Sequence, residues 1–298
     1  MATTTKDGGF AVKTKSRSSK RDRLASPMGM AGLYAILIGG ALLASFPFYY
    51  TLVTATHRTA AILSIPPPIW FGGDLVQNYT ELLGALPFWN ALFNSIAIST
   101  IHTALVLFFC SLGGYGFAKF QFPGRELLFG FLLATLMVPS AIGIIPFFIV
   151  MRNLGWINTW NPLIIPGIAN AFGIFWMRQY ITSAVPADMM DAARIDGAHE
   201  FRIYWNIIVP VIIPALAALA ILTFMDKWND FQTPLLILKD EAKYTLPVAL
   251  STLRSLRGTE IGVQILGAAG AIVPIMAVFI LASRQFMSGL TAGAVKGG

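Results

Sequence analysis

Long apolar runs alternate with short polar interruptions along this chain, and the lengths of the runs set the expected architecture. Crossing a bilayer as a helix takes about 20 apolar residues. Six runs are long enough: residues 28–52, 89–112, 127–151, 160–181, 207–225 and 262–283. Between the fourth and fifth lies a polar, helix-forming island from Pro186 to Pro210. Pro186 suits the first position of a helix, and Asp188 and Asp191 put negative charge near the positive end of its dipole. Gly197 can take the positive φ that ends such a helix. A second short helix from about residue 199 would return the chain to the membrane near Pro210. The island is therefore expected to be a compact helix-turn-helix knob, with Ala192 and Ala193 leaving a shallow face for another protein. The competing reading is an interfacial loop that only joins two spans.

The expected fold is all-α, a polytopic membrane protein with six transmembrane helices. Residues 1–27, rich in Lys, Arg, Ser and Thr, have little to bury and read as a disordered basic tail. Residues 28–285 form the membrane domain, with the loop 183–207 between spans four and five, and residues 286–298 form a C-terminal tail. Composition agrees: 56% of residues are hydrophobic, only 12% are charged and the mean hydropathy is +0.68, against roughly 25% charge in a soluble domain. One cysteine, Cys110, falls inside the second run, so disulfides have no part here.

The net charge of +7 could suggest nucleic acid, but its distribution reads as topology. With the N-terminus inside, fourteen of the 21 Lys and Arg fall on the inner side. They are Lys6, Lys13, Lys15, Arg17, Lys20, Arg21 and Arg23 in the tail, Lys119, Arg125, Arg178, Arg194 and Arg202 in the inner loops, and Arg284 and Lys296 at the end. The positive-inside rule then puts both termini and the island in the cytoplasm. A cleaved signal peptide competes for the first run, which is long for that role.

Apart from Arg178 near the inner end of the fourth, the six runs contain no Asp, Glu, Lys or Arg, and His102 is the only imidazole. A proton-coupled carrier usually keeps an intramembrane carboxylate or His relay, whereas a lone His more often hydrogen-bonds between packed helices. No Gly-x-x-x-x-Gly-Lys-Ser/Thr loop for nucleotide phosphates occurs, nor a metal-binding His-Glu-x-x-His pair. Uphill transport by this chain would therefore draw its energy from a partner. Pro139 and Pro146, seven residues apart in the third run and so on roughly one helical face, are expected to break its hydrogen bonding, either as a kink lining a translocation path or as ordinary packing geometry. The aromatics Trp70, Phe71, Tyr79, Phe88 and Trp89 read as an interface belt, with a ligand-stacking surface as the alternative.

The spacing Asp191-Ala192-Ala193, Gly197, then Ile207-x-Val209-Pro210 resembles the EAA signature of ABC importer permeases, with Asp191 where Glu is usual and Val209 where Leu is usual. Asn94-Ser95, Tyr115-Gly-Phe-Ala118 before Phe122-Pro-Gly-Arg125, Met137-Val-Pro139 with Ile145-Pro146, and Trp228-Asn-Asp-Phe231 are similar to further blocks of binding-protein-dependent carbohydrate permeases. Gly289 to Gly297 resembles the tail of the second, shorter maltose-type subunit. This resemblance covers most of residues 76–297 and implies a half-channel paired with a second, homologous permease. It also implies two copies of a cytoplasmic ATPase, which bind the ATP and Mg, and an extracytoplasmic solute-binding protein. The chain itself would need no cofactor and catalyse nothing.

Carried over, Asp191, Ala192, Ala193, Gly197, Ile207 and Pro210 would couple to the ATPase, and Gly289, Thr291, Gly293 and Lys296 would reach it from the tail. At 1.5 Å per residue, Trp228, Asn229 and Asp230 stand roughly 28 Å of helix beyond Pro210, at the outer end of the fifth span. Aromatic, amide and carboxylate side chains together suit sugar hydroxyls, though Asn229 and Asp230 could equally anchor the helix at the headgroups. The implied solute is a carbohydrate, of di- or oligosaccharide class. A related permease for glycerol phosphate or a polyamine is the nearest alternative, and a secondary carrier the distant one.

Overall fold

The computed structural model describes residues 27–255 and 260–294, which contain helices and turns but no strand. Two compact units divide at Thr51 and Leu52. The first unit holds most of α1 (Pro27–Thr54), whose side chains from Met30 to Tyr49 are exposed and overwhelmingly apolar. Water is a poor solvent for that surface and hydrocarbon a good one.

The second unit contains α2 (Leu75–Ala85), α3 (Phe88–Lys119), α4 (Arg125–Thr135), α5 (Ile144–Asn153), α6 (Ala171–Ala184) and α7 (Ala187–Ile195). A continuous helix α8 (Glu200–Asn229) follows, then α9 (Gln232–Ile237), α10 (Leu246–Ser255) and α11 (Ile261–Ala294). Among the described residues four helices are long and apolar enough to cross a membrane: α1, α3, α8 and α11.

Helix α3 is the spine of this unit. Glycine lets α6 lie directly against it: a Cβ at Gly114 would sit 2.6 Å from Cβ of Met177, and one at Gly173 would sit 2.6 Å from Sγ of Cys110. Small residues at such crossings replace the hydrophobic driving force that lipid cannot supply. Contacts advance together along the two helices, from Cys110 beside Asn170 to Lys119, whose ammonium donates to the Val185 carbonyl. They therefore run parallel. Helix α8 runs the other way, with Tyr204 near Ser111 and Trp228 in the cluster that holds Phe88. His102 lies in this packing, its Nδ1 2.7 Å from the Ile164 carbonyl oxygen, the role expected of a lone imidazole between helices.

The third and fourth apolar runs are not single spanning helices. In the third, α4 stops at Thr135, a 3-10 turn occupies Ser140–Gly143, and α5 starts at Ile144. Pro139 lacks an N–H and drives Val138 out of the helical region. Pro146, expected to break the run's hydrogen bonding, instead stands in the first turn of α5, where its missing N–H leaves no helical bond unmade. In the fourth run a single turn, Asn161–Ile164, gives way at Pro166-Gly167, with Gly167 at φ +82°, before α6 begins. Asn170 caps that beginning, its side-chain oxygen accepting from the Gly173 N–H at 2.7 Å.

Basic residues of the expected inner loops do share one end of the unit. Lys119 reaches Val185, and Arg125 and Arg178 lie 2.7 and 3.6 Å from the Glu126 carboxylate. At the other end, Arg58 pairs with Glu81 at 2.9 Å and Glu260 at 3.3 Å. Asn94 and Ser95 clamp that end too: Asn94 donates to the carbonyls of Ala242 and Tyr244, and Ser95 accepts from the Leu246 N–H. The expected basic tail, residues 1–27, lies outside the described residues except for Pro27, which opens α1.

Candidate functional site

At the end where α3 finishes, the polar island folds as α7, a turn, and the first turns of α8. Pro186 is the residue before the helix rather than its first member, with extended backbone at ψ 148°, and Ala187 begins α7. Gly197 sits at φ +80°. The Gly197 N–H bonds to the Arg194 carbonyl and the Ala198 N–H to the Ala193 carbonyl, each at 3.0 Å. That pair is the Schellman arrangement, and it consumes carbonyls the helix end would otherwise leave open. The expected second short helix is instead the start of α8, capped by the His199 side chain and passing through a π-helical segment, Tyr204–Ile208.

The two alanines of the knob part company. Ala192 is exposed, but Ala193 is half-buried and packs on the chain's own core. Asp191 and Gly197 share the exposed surface with Ala192, whereas Ile207 is half-buried in the π segment and Pro210 is exposed farther along α8. Asp191, Ala192 and Gly197 are thus gathered at one site, and Ile207 and Pro210 are not part of it. Ile195 went unnoticed in the sequence. It is 87% exposed at the tip of the knob, a large apolar side chain between the charged Arg194 and Asp196, and that contrast with its sequence neighbours was the available signal.

Side chains tie the knob to α3. Arg194 reaches Asp191 at 3.0 Å and Glu200 at 2.8 Å. Its hydrogen bond to Glu200, with Asp191 beside it, raises the guanidinium above its ordinary range. Tyr115, buried on α3, donates its hydroxyl to the other Glu200 oxygen at 2.7 Å. One turn back, the Ser111 and Tyr204 hydroxyls meet at 2.7 Å.

At the opposite end a cavity of about 980 Å³ opens between the break in the third run and the far end of α8. Gly143, Ile144 and Phe147 line one side, with Asp226, Asn229, Asp230, Gln232 and Thr233 on the other. Of the three residues singled out as a solute path, Asn229 and Asp230 are at this cavity and Trp228 is not. Trp228 is 3% exposed and stacks on Phe224 with ring centroids 5.7 Å apart. Asn229 donates to the Met225 carbonyl. Asp230 accepts from the Thr233 N–H at 3.1 Å and lies 3.5 Å from Lys227. The cavity also takes in Asp226, for which no hydrogen bond or ion pair occurs among the described residues.

The C-terminal segment differs from an irregular tail as far as it is described. Helix α11 continues to Ala294, so Gly289, Thr291 and Gly293 have helical backbone, while Lys296 lies outside the described residues.

Residues 111–288 match the family described as the binding-protein-dependent transport system inner membrane component. The chain is similar to the arabinooligosaccharides transport system permease protein AraQ of Bacillus subtilis (strain 168), with 34% identity over 259 residues, 86% of this chain and 92% of that one. It is similar to the lactose transport system permease protein LacG of Rhizobium radiobacter, with 36% identity over 263 residues, 88% and 95% of the two chains. The sn-glycerol-3-phosphate transport system permease protein UgpE of Yersinia enterocolitica is 31% identical over 265 residues, 86% and 94%. Among solved structures, a chain of a bacterial ABC transporter involved in the import of alginate matches with a TM-score of 0.73 and 26% identity, covering 92% of this chain and all of that one. The apolar helices, the polar knob and these likenesses agree, and the chain belongs to the family of binding-protein-dependent transport system inner membrane components.

Proposed function

We propose that this chain is the permease subunit of an ABC importer, crossing the inner membrane six times with both termini and the knob in the cytoplasm. Four long helices and the two broken runs supply the crossings. The basic residues gathered beside the knob favour that end as the cytoplasmic one. A second permease, an ATPase dimer and an extracytoplasmic binding protein complete the machine. ATP and Mg belong to the ATPase, and this chain moves solute without catalysing a reaction.

The exposed knob is the observation that carries the reading. Its α7 helix ends in a left-handed glycine and presents Asp191, Ala192 and Ile195 outward, a shape suited to a cleft in the ATPase. Closure of the ATPase dimer on ATP would move the knob and favour the outward-open membrane cavity, a population shift driven by contacts that differ between the two states. The segment from Gly289 to Gly297 is a second contact with the ATPase under this reading. Ile195→Asp tests the docking. The variant should reach wild-type abundance in the membrane and lose the ATPase on detergent purification, because a buried charge replaces a large apolar contact. Full retention of the ATPase would remove the knob from the interface.

The solute we propose is a neutral carbohydrate of di- or oligosaccharide class. The names of AraQ and LacG point to sugars, and that of UgpE to an anionic solute. The cavity favours the first. Asp226 and Asp230 outnumber Lys227 there, which disfavours phosphate, while Asn229, Gln232, Thr233 and the rings of Phe147 and Phe231 suit hydroxylated rings. A ligand screen of the cognate binding protein, followed by uptake into proteoliposomes, tests this reading. Import of glycerol phosphate in preference to any oligosaccharide would overturn it.

A further inference from the structure

The knob is fastened to α3 at two points on one face. Ser111 and Tyr115 are four residues apart and therefore one above the other on the helix. Ser111 holds the Tyr204 hydroxyl and Tyr115 holds Glu200, both at 2.7 Å. Glu200 passes the link to Arg194 at 2.8 Å, and Arg194 to Asp191 at 3.0 Å. The inner half of this chain of contacts is dry, with Ser111, Tyr115 and Tyr204 at 1%, 3% and 2% exposure. Satisfied polar networks in such surroundings are stiff. The outer half is solvent-exposed and weak by comparison. Both fastenings fall where α8 leaves the knob, and Tyr204 opens the π-helical segment Tyr204–Ile208. A π segment departs from the regular helical ladder and is a natural place for displacement to be absorbed.

We propose that Tyr115 and Glu200 are positioning residues that lock the knob to α3 across this π segment. The stroke received by the knob then reaches the second span and is not lost in local bending. This rests on the coupling role given to the knob above and names the residues that transmit it. Neither residue touches the ATPase in this scheme. They act through the orientation of α7 relative to α3.

The experiment uses the complete transporter in proteoliposomes, with import and ATP hydrolysis measured together. Tyr115→Phe removes one hydroxyl and keeps the ring that packs against Phe120 and Tyr204, at centroid distances of 5.3 and 5.8 Å. The expected result is normal abundance, normal retention of the ATPase and normal hydrolysis, with solute imported per ATP reduced about fivefold, the scale of one hydrogen bond. Glu200→Gln, which retains an acceptor for Tyr115 but weakens the hold on Arg194, should show a smaller loss in the same ratio. It also serves if Tyr115→Phe fails to accumulate. An unchanged import-to-hydrolysis ratio in both variants would overturn the proposal, because a network that only stabilises the fold would not move that ratio. Loss of the ATPase from the variants would also overturn it, by making the network part of the docking surface. Failure of the wild-type knob to hold the ATPase would instead defeat the coupling reading itself.

Discussion

At the scale of single residues, conformation and charge outweigh chemistry in this molecule. Gly197 is legible in the sequence as the end of a helix, and its φ of +80° has a measurable consequence. Nothing lies within 4 Å of a Cβ built there, so Gly197→Val is penalised by backbone conformation and not by a clash. The cost is roughly 1–2 kcal/mol. We expect normal insertion, a reoriented α7, weakened ATPase association and loss of uptake, and normal uptake at wild-type abundance would exclude the coupling role of this turn. At the opposite end Glu260 accepts from the Thr59 N–H at 2.7 Å and faces Arg58. The hydrogen bonds from Thr59, and then Arg58, hold its carboxyl below the ordinary range. A depressed folded value means that the stabilisation is present above the unfolded value of about 4.3 and is lost as pH falls through the lower, folded one. Thermal melts in detergent should therefore show no Glu260 contribution to pH dependence between pH 7 and 5. Its effect should appear only on the acid side, and Glu260→Gln should flatten that limb. A Glu260-dependent slope near neutrality would contradict the assignment.

Among the elements, the packing between α3 and α6 rests on glycine. Gly114→Ala would drive a methyl group to 2.6 Å from Cβ of Met177 and 2.8 Å from the Arg178 backbone nitrogen. Overpacking of this kind costs about 1–3 kcal/mol. Two residues on, Gly116 has nothing within 4 Å, and alanine there should help the helix by roughly 0.5–1 kcal/mol. Opposite shifts in melting temperature for the two variants are the expected outcome; equal shifts would mean that α3 and α6 are not in contact as described. The sequence identifies both glycines equally and cannot tell them apart, because only the helix crossing decides which one has a neighbour. The same limit explains the third and fourth runs. Apolar length suggests single spans, whereas Pro139, Pro146 and Pro166-Gly167 decide where the helix breaks, and whether a proline kinks or starts a helix depends on its register.

For the whole molecule, an apolar chain without a phosphate-cradling loop is expected to leave nucleotide chemistry to its partners. The purified, monodisperse subunit should neither bind nor hydrolyse ATP in equilibrium binding and turnover assays, and hydrolysis should appear only when the ATPase is added. Saturable ATP binding by the subunit alone would refute this division of labour. Much of the rest follows from order along the chain. Hydrophobic run length, the polar island and the local chemistry of Gly197 are properties of consecutive residues, so membrane character, the helical knob and its end are determined by the sequence itself. Other features belong to residues far apart in the chain. Tyr115 meets Glu200 across 85 positions, Trp228 turns into the core and away from the cavity that Asn229 and Asp230 line, and Ala193 faces inward while Ile195 stands out. Periodicity places a side chain on a face of its own helix, but which neighbour that face meets is set by how the helices cross. Only the tertiary structure decides that, because packing joins surfaces that no local pattern contains.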